Sequence, residues 1–385
     1  MPLRRFVSRL ALLLALAMAA GACTHVHVLV LAGESFGGRV PGTAGHDNAA
    51  NYIIQYLRAH GVEAMDGTTN VASYEDAFAS GTNIIGRVPG ATTPDEYVIV
   101  GAHYDHLASC DNTGGTATCN GATDNAAGVA IVLEIAAAIF DDGPAPERTV
   151  IFALWDREEA GLLGSNAWVA TNATLLEDAV AYVNYDIQGA NLLRSLRNDT
   201  LAVGAETGGA ALTGAVTAAG AGSTLDLFQL SLIFGLGRSD HANFAAADVP
   251  TVFFTDATGS CYHTTEDTYD VLDQGKLQEQ RDIGVALVNE LAAGVTTPTF
   301  TAAPAGTFAD AVVIKTLVDA GLADLGLFSA SDQATLTSIS ADIDAIVAAG
   351  AGAFDAAALN SLFTNSLSLV NLLEDGTDCD GFLTP

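Results

Sequence analysis

The chain has 385 residues, with 14 lysines and arginines against 45 aspartates and glutamates, a formal net charge of −31. A charge this negative repels phosphate backbones and anionic headgroups, which excludes nucleic acid as a partner and a basic patch as a membrane anchor. Half of the residues are hydrophobic and fall in periodic blocks, which excludes a disordered chain and predicts one large α/β domain or one domain plus an appendage.

Arg4, Arg5 and Arg9 precede the apolar run 10–20, and Ala20-Gly21-Ala22-Cys23 follows. A basic start, an apolar stretch too short to span a bilayer and small residues before a break predict an export signal over residues 1–22. Ala20-Gly21-Ala22 fits ordinary signal-peptidase cleavage. The same small residues before Cys23 also resemble a lipoprotein box, in which Cys23 carries a lipid anchor and supplies the only membrane attachment. Cysteine parity leans to the second, because Cys110, Cys119, Cys261 and Cys379 then remain as an even set for two disulfides in an oxidising compartment, Cys110 with Cys119 being the local pair. The expected location is the cell envelope or the medium, with residues 23–34 as a tether.

The catalytic span is expected at 35–295. Residues 47–60 carry apolar side chains at helical spacing, and Gly61 ends the pattern. Short β-rich runs follow at 83–88, 97–101, 149–154, 179–185 and 250–254, with helical stretches at 126–140, 162–170, 208–219 and 276–293. Strands alternating with helices predict a mixed, mostly parallel central sheet covered on both faces, with functional groups in loops just after strands. Residues 296–306 turn to Thr, Pro and Ala and read as a linker. Beyond them, 308–320, 331–349 and 356–373 predict a small helical appendage within 307–385. The Asp-rich end, 375–380, lacks the ligand ladder of a calcium loop.

His103 and Asp105 follow the run 97–101, Asp124 begins a helix, Glu158 and Glu159 follow 149–154, Asp186 follows 179–185, and His263 lies beyond 250–254. Singly, each is weak. Together, His103, Asp124, Glu159, Asp186 and His263 make a mixed imidazole and carboxylate set that suits Zn²⁺, with enough donors for two ions if one carboxylate bridges. Glu158 is then spare, beside a ligand, where a general base belongs.

The segments GRVPGTAG (38–45), VIVGAHYDHL (98–107), GATDNAAG (121–128), WDREEAGLLGS (155–165), VNYDIQG (183–189), GRSDHANF (237–244) and YHTTEDT (262–268) resemble, in order, the motifs of the co-catalytic zinc exopeptidases of peptidase family M28. That resemblance implies one Zn²⁺ on His103 and Asp186, a second on Glu159 and His263, and Asp124 bridging, followed by a cis peptide to Asn125. It implies that Asp105 orients His103, that Asp240 and Asp267 are further supporting acids, and that Tyr262 donates to the oxyanion. His106 and His241 match positions that are not ligands and read as packing residues. Gln188 and the run Trp155-Asp156-Arg157 depart from the family pattern and are expected to shape the pocket rim. The family acts on peptides. An acidic site suits a protonated α-amine, and a span poor in arginines, with Arg157 and Arg238 in its motifs, offers little to clamp a carboxylate, so the expectation is an aminopeptidase. A carboxypeptidase, a glutaminyl cyclase and a non-catalytic binding lipoprotein are the alternatives. The acidic composition, with Lys276 and Lys315 its two lysines, predicts adaptation to salty surroundings.

Overall fold

The computed structural model describes residues 24–110, 117–141, 145–302, 306–375 and 379. The expected export signal and Cys23, and most of the Asp-rich end, lie outside them. In chain order the elements are α1 (Thr24–Leu31), α2 (Ala44–Ala59), β1 (Glu75–Phe78), β2 (Gly81–Val88), β3 (Thr93–His103), α3 (Ala127–Asp141), β4 (Arg148–Trp155), α4 (Leu163–Thr171), α5 (Ala173–Leu176), β5 (Ala179–Tyr185), β6 (Asp199–Val203), α6 (Gly209–Gly220), β7 (Asp226–Leu230), α7 (His241–Ala246), β8 (Thr251–Thr255), α8 (Gln274–Ala292), α9 (Phe308–Gly321), α10 (Ala330–Ala349) and α11 (Ala356–Asp375).

The strands form one eight-stranded sheet in the order β1-β2-β4-β3-β5-β8-β6-β7. Its centre, β4-β3-β5-β8, is parallel, and β1, β2 and the β8–β6 pair are antiparallel. Every residue of β4 is buried, as a parallel strand covered on both faces must be. Its side chains alternate between two cores, because successive residues point to opposite faces. Val150, Phe152 and Leu154 join the core under α2, α3 and α8. Ile151, Ala153 and Trp155 join the one on the other face with Trp168 and Phe244.

Residues 24–31, expected as part of a tether, instead form α1. Val28 and Leu31 are fully buried, and His27 lies between Tyr52 and Glu134, 2.8 Å from the Tyr52 hydroxyl and 3.1 Å from Glu134 Oε1. An eight-residue helix does not hold itself together in water, so this packing is what stabilises it. The expected linker is also fastened: Arg148 Nη1 donates to Thr296 O at 2.7 Å, and Thr301 N donates to Thr207 O at 2.7 Å.

The C-terminal helices build a third core with Leu193, Leu196, Val203, Leu230 and Phe253. Asp310 docks them. It closes a capping box with Thr307 at the start of α9, and its carboxylate also accepts from Ser231 N at 2.7 Å and Ser231 Oγ at 2.8 Å. Both disulfides form, Cys110–Cys119 and Cys261–Cys379, and the second ties the chain beyond α11 to the loop after β8.

Candidate active site

Four adjacent parallel strands end on one edge of the sheet, and the residues expected to carry chemistry come off that edge. His103 closes β3, Glu158 and Glu159 follow β4, Asp186 follows β5, and His263 stands on the loop after β8. Asp124 lies in the turn that opens α3. His103 Nε2 is 3.3 Å from Asp124 Oδ1 and 3.3 Å from Asp186 Oδ1. His263 Nε2 is 3.1 Å from Asp124 Oδ2 and 3.3 Å from Glu159 Oε2. Each oxygen of Asp124 thus faces a different histidine. Glu158 Oε2 stands 3.9 Å from His103 Nε2, and the Tyr262 ring stacks on His263 with centroids 3.7 Å apart.

The donor chemistry fits zinc. Imidazole nitrogens and carboxylate oxygens converge in two groups that share Asp124, one with His103 and Asp186, the other with His106 and Glu159. Four carboxylates are gathered against three histidines and the nearby Arg39, a charge excess that cations would offset. The titration of the cluster's side chains reflects this. Burial disfavours charge on His103, but Asp186 and Glu158 outweigh it and hold the imidazole well above its ordinary range. Burial also works against the Asp124 carboxylate, yet His106, His103 and His263 keep it well below. Glu158 goes the other way: burial, reinforced by Asp186, Asp240 and Glu159, pushes it well above the usual carboxylate value despite His103.

The surrounding residues hold this geometry. Asp105 Oδ1 lies 3.6 Å from His103 Nδ1 and accepts from Glu158 N at 3.0 Å, so one carboxylate serves both. Asp267 accepts from Thr123 N at 2.9 Å and Asp124 N at 3.1 Å, binding the Asp124 turn to the loop that carries His263. Asp240 is fully buried, accepts from Ser165 Oγ and is raised to about 7 by burial, with Asp186 and Asp105 adding to it. The Asp124–Asn125 peptide is cis, and Asn125 Nδ2 donates to Tyr185 O at 2.9 Å, joining the turn to the end of β5. Gly121 opens the turn at φ +56°, where a Cβ would stand 2.1 Å from Asp124 O; no other residue fits.

Two residues escaped the sequence reading. Arg39 is fully buried, and its guanidinium donates to the carbonyls of Tyr104, Leu31, Asn120, Gly121 and Asp124 at 2.8–3.3 Å. Its place in the GRVPGTAG segment was the available signal. His106, expected as a packing residue, has Nδ1 2.7 Å from Glu159 Oε1 and so touches the cluster. His241 stacks on Phe253, centroids 4.4 Å apart, away from the carboxylates, and burial lowers it to about 3. The residues expected to shape the rim do not line the cavity: Trp155 is packed against Trp168 and Phe244, Asp156 accepts from His46 Nε2 at 3.0 Å, Arg157 reaches Ser80 O at 2.9 Å, and Gln188 is buried. The cavity beside the cluster is lined instead by Ile187, Phe234, Arg238, Thr258, Tyr262 and Val370, among others.

A doubly covered α/β sheet with this donor set at its carboxyl edge describes a metal-dependent hydrolase. The model of peptidase family M28 matches residues 83–288, more than half of the chain, and the chain belongs to that family of zinc peptidases. It is 40% identical over 116 residues to a probable glutamate carboxypeptidase of Arabidopsis thaliana, covering 29% of this chain and 15% of that one. It is 32% identical over 162 residues to leupeptin-inactivating enzyme 1 of Streptomyces exfoliatus, covering 42% and 33%. The matches therefore span a third or less of these relatives. Among solved structures, a glutaminyl cyclase of Bacteroides thetaiotaomicron matches with a TM-score of 0.56 at 22% identity, covering 69% of this chain and 96% of that one. LapB of Legionella pneumophila matches with a TM-score of 0.56 at 20% identity, covering 70% and 71%. These two structures share the fold.

Proposed function

We propose that the chain is an exported zinc aminopeptidase that removes N-terminal residues from peptides, with two Zn²⁺ held by His103 and Asp186, by Glu159 and His263, and by Asp124 between them. The observation that carries this reading is the Asp124 carboxylate, whose two oxygens each face a separate histidine at 3.1–3.3 Å. Zinc held there supplies the Lewis acidity that activates a water and polarises a scissile carbonyl. Glu158 takes the proton of the attacking water and returns it to the departing amine. Burial and the neighbouring carboxylates raise its proton affinity, which suits a base that holds the proton between the two steps, and cations at the cluster would lower it toward neutral pH. Tyr262 stays protonated because burial and the neighbouring carboxylates push its phenol far up, so its hydroxyl donates to the developing oxyanion.

The choice of aminopeptidase rests on charge. Arg238 is the arginine among the described lining residues, and its Nη1 is already occupied by Glu374 Oε1 at 3.0 Å. A carboxypeptidase needs a guanidinium free to grip the terminal carboxylate. Among the described lining residues no other cationic side chain is present to grip a substrate carboxylate, which leaves the amine end of a peptide as the end the pocket accepts. Aminoacyl-amides and N-blocked peptides, assayed with and without chelator, test the reading. Hydrolysis confined to free-amine substrates, lost on chelation and restored by Zn²⁺, is expected. Cleavage of N-blocked peptides at their carboxyl ends would transfer the chain to the carboxypeptidases.

A further inference from the structure

Two cavities meet at the site. The smaller, ≈ 80 Å³, is lined by the carboxylates of Asp124, Glu158, Glu159 and Asp186. The larger, ≈ 170 Å³, lies under the C-terminal helices and is walled mostly by leucines. Six residues line both: Leu201, Leu230, Phe234, Leu236, Ala257 and Val370. Five belong to the sheet and its loops. Val370 belongs to α11, outside the residues the family model matches.

Helix α11 is seated as a wall. Ser366, Leu369, Val370 and Leu373 turn one helical face to the larger cavity. At its end, Glu374 Oε1 accepts from Arg238 Nη1 at 3.0 Å and from the Thr258 hydroxyl, and both partners line the smaller cavity. Just beyond, Cys379 is bonded to Cys261, the neighbour of Tyr262. Three charged residues line the larger cavity, Asp199, Asp256 and Lys276; Asp199 is partly exposed at the start of β6, and the other two satisfy each other. Lys276 Nζ is 3.1 Å from Asp256 Oδ1 and donates to Ala190 O at 2.7 Å, while Asp256 also accepts from Gln280 Nε2 at 2.7 Å and Ala190 N at 2.9 Å.

We propose that the two cavities are the front and back of one specificity pocket, and that Val370 is a specificity-determining residue supplied by the C-terminal helices. The inference rests on the aminopeptidase reading: with the scissile bond of the N-terminal residue at the metal cluster, that residue's side chain passes Val370 into the chamber beneath α11. An apolar cavity of about 150 Å³ holds a benzene ring, so the back chamber takes a long aliphatic or aromatic side chain. Each methylene buried there favours the longer substrate about fourfold.

The test uses the zinc-loaded full chain and a series of aminoacyl-4-nitroanilides with straight side chains, from alanyl through 2-aminopentanoyl and 2-aminohexanoyl to 2-aminooctanoyl. In the wild type, kcat/KM rises about fourfold per methylene until the chamber fills. Val370→Trp lowers the ratio of 2-aminooctanoyl to alanyl kcat/KM at least tenfold, chiefly through KM, and Val370→Ala moves the preference to longer chains. A ratio unchanged in both variants overturns the proposal. Calorimetric binding of n-alkylamines from propyl to octyl needs no turnover and separates the two readings. Affinity that grows with chain length and is lost in Val370→Trp, without any peptide hydrolysis, supports the pocket while the aminopeptidase reading fails. Hydrolysis of free-amine substrates with no chain-length dependence overturns the pocket alone.

Discussion

The stretch Ala122–Phe140 and the stretch Ala356–Glu374 are both long and apolar enough, by composition, to cross a membrane, yet 89% of the most apolar part of the first is buried against 6% of the second. The first is clamped between the sheet, α1 and α8, and carries Asp124 in its opening turn. The second offers one face to a chamber and is held at its end by Glu374 and the Cys261–Cys379 bond. Composition names an apolar helix; the partners on its other sides decide whether it becomes core or wall. The difference separates two jobs. A carboxylate facing two histidines needs a rigid mount, whereas a pocket wall needs only to be fastened.

If the clamped region alone carries the chemistry, Glu158→Gln lowers kcat by about 10²–10⁴-fold while zinc content and the thermal midpoint stay at wild-type values. Near-wild-type turnover would remove Glu158 as the base. Arg39→Met tests the mount itself, because it strips the donor from five carbonyls, four of them buried, that converge beside the Asp124 turn. It should lose about 3–5 kcal/mol in urea unfolding and weaken zinc binding as well; a stable variant with normal zinc affinity would show that the turn holds without it. On the other side, replacing Cys261 and Cys379 together by Ser should cost about 2–4 kcal/mol and expose α11 to limited proteolysis, with zinc content retained. Zinc lost along with α11 would mean that the two regions form one unit.

The smallest effect is a proton count. In the bare protein, His103 is held well above the ordinary imidazole value and His263 is raised to about 10, burial being outweighed by the carboxylates beside each. Both rings are protonated at pH 7 and must be neutral to bind metal. Zinc binding should therefore release protons, and affinity should fall as pH falls, by about tenfold per pH unit for each proton released. Calorimetry in buffers of different ionisation enthalpy measures the count; zero protons at pH 7 would contradict the raised values.

The central strands were legible because a parallel strand buried on both faces is a continuous apolar run, as at β4 and β5. The strands β1, β6 and β7 were not, because Glu75, Asp76, Asp199 and Asp226 sit in short segments with partly exposed residues. Helix α1 was missed because eight residues, five of them apolar and four of those consecutive, give no helical period to read. The acids and histidines of the cluster could be singled out because strand ends mark where side chains converge. Arg39 was passed over although it stands in GRVPGTAG, because four of its five carbonyl partners lie 65–85 residues away in the chain, and nothing local in a sequence records a carbonyl that lacks a donor.

Helix α1 also bears on how the protein would stand at a membrane. It begins at Thr24, which is 1% exposed. If Cys23 carries a lipid, the residue beside the anchor is already part of the fold, leaving no spacer beyond roughly the 3.8 Å between consecutive Cα atoms. Such a protein would ride flush on the bilayer with the α1 end downward. A body this acidic, more so once the three arginines of residues 1–22 are removed, would at that distance be pushed off an anionic leaflet within about one Debye length, ~8 Å at physiological ionic strength. Its standing orientation would then depend on the lipid composition beneath it and on the salt around it.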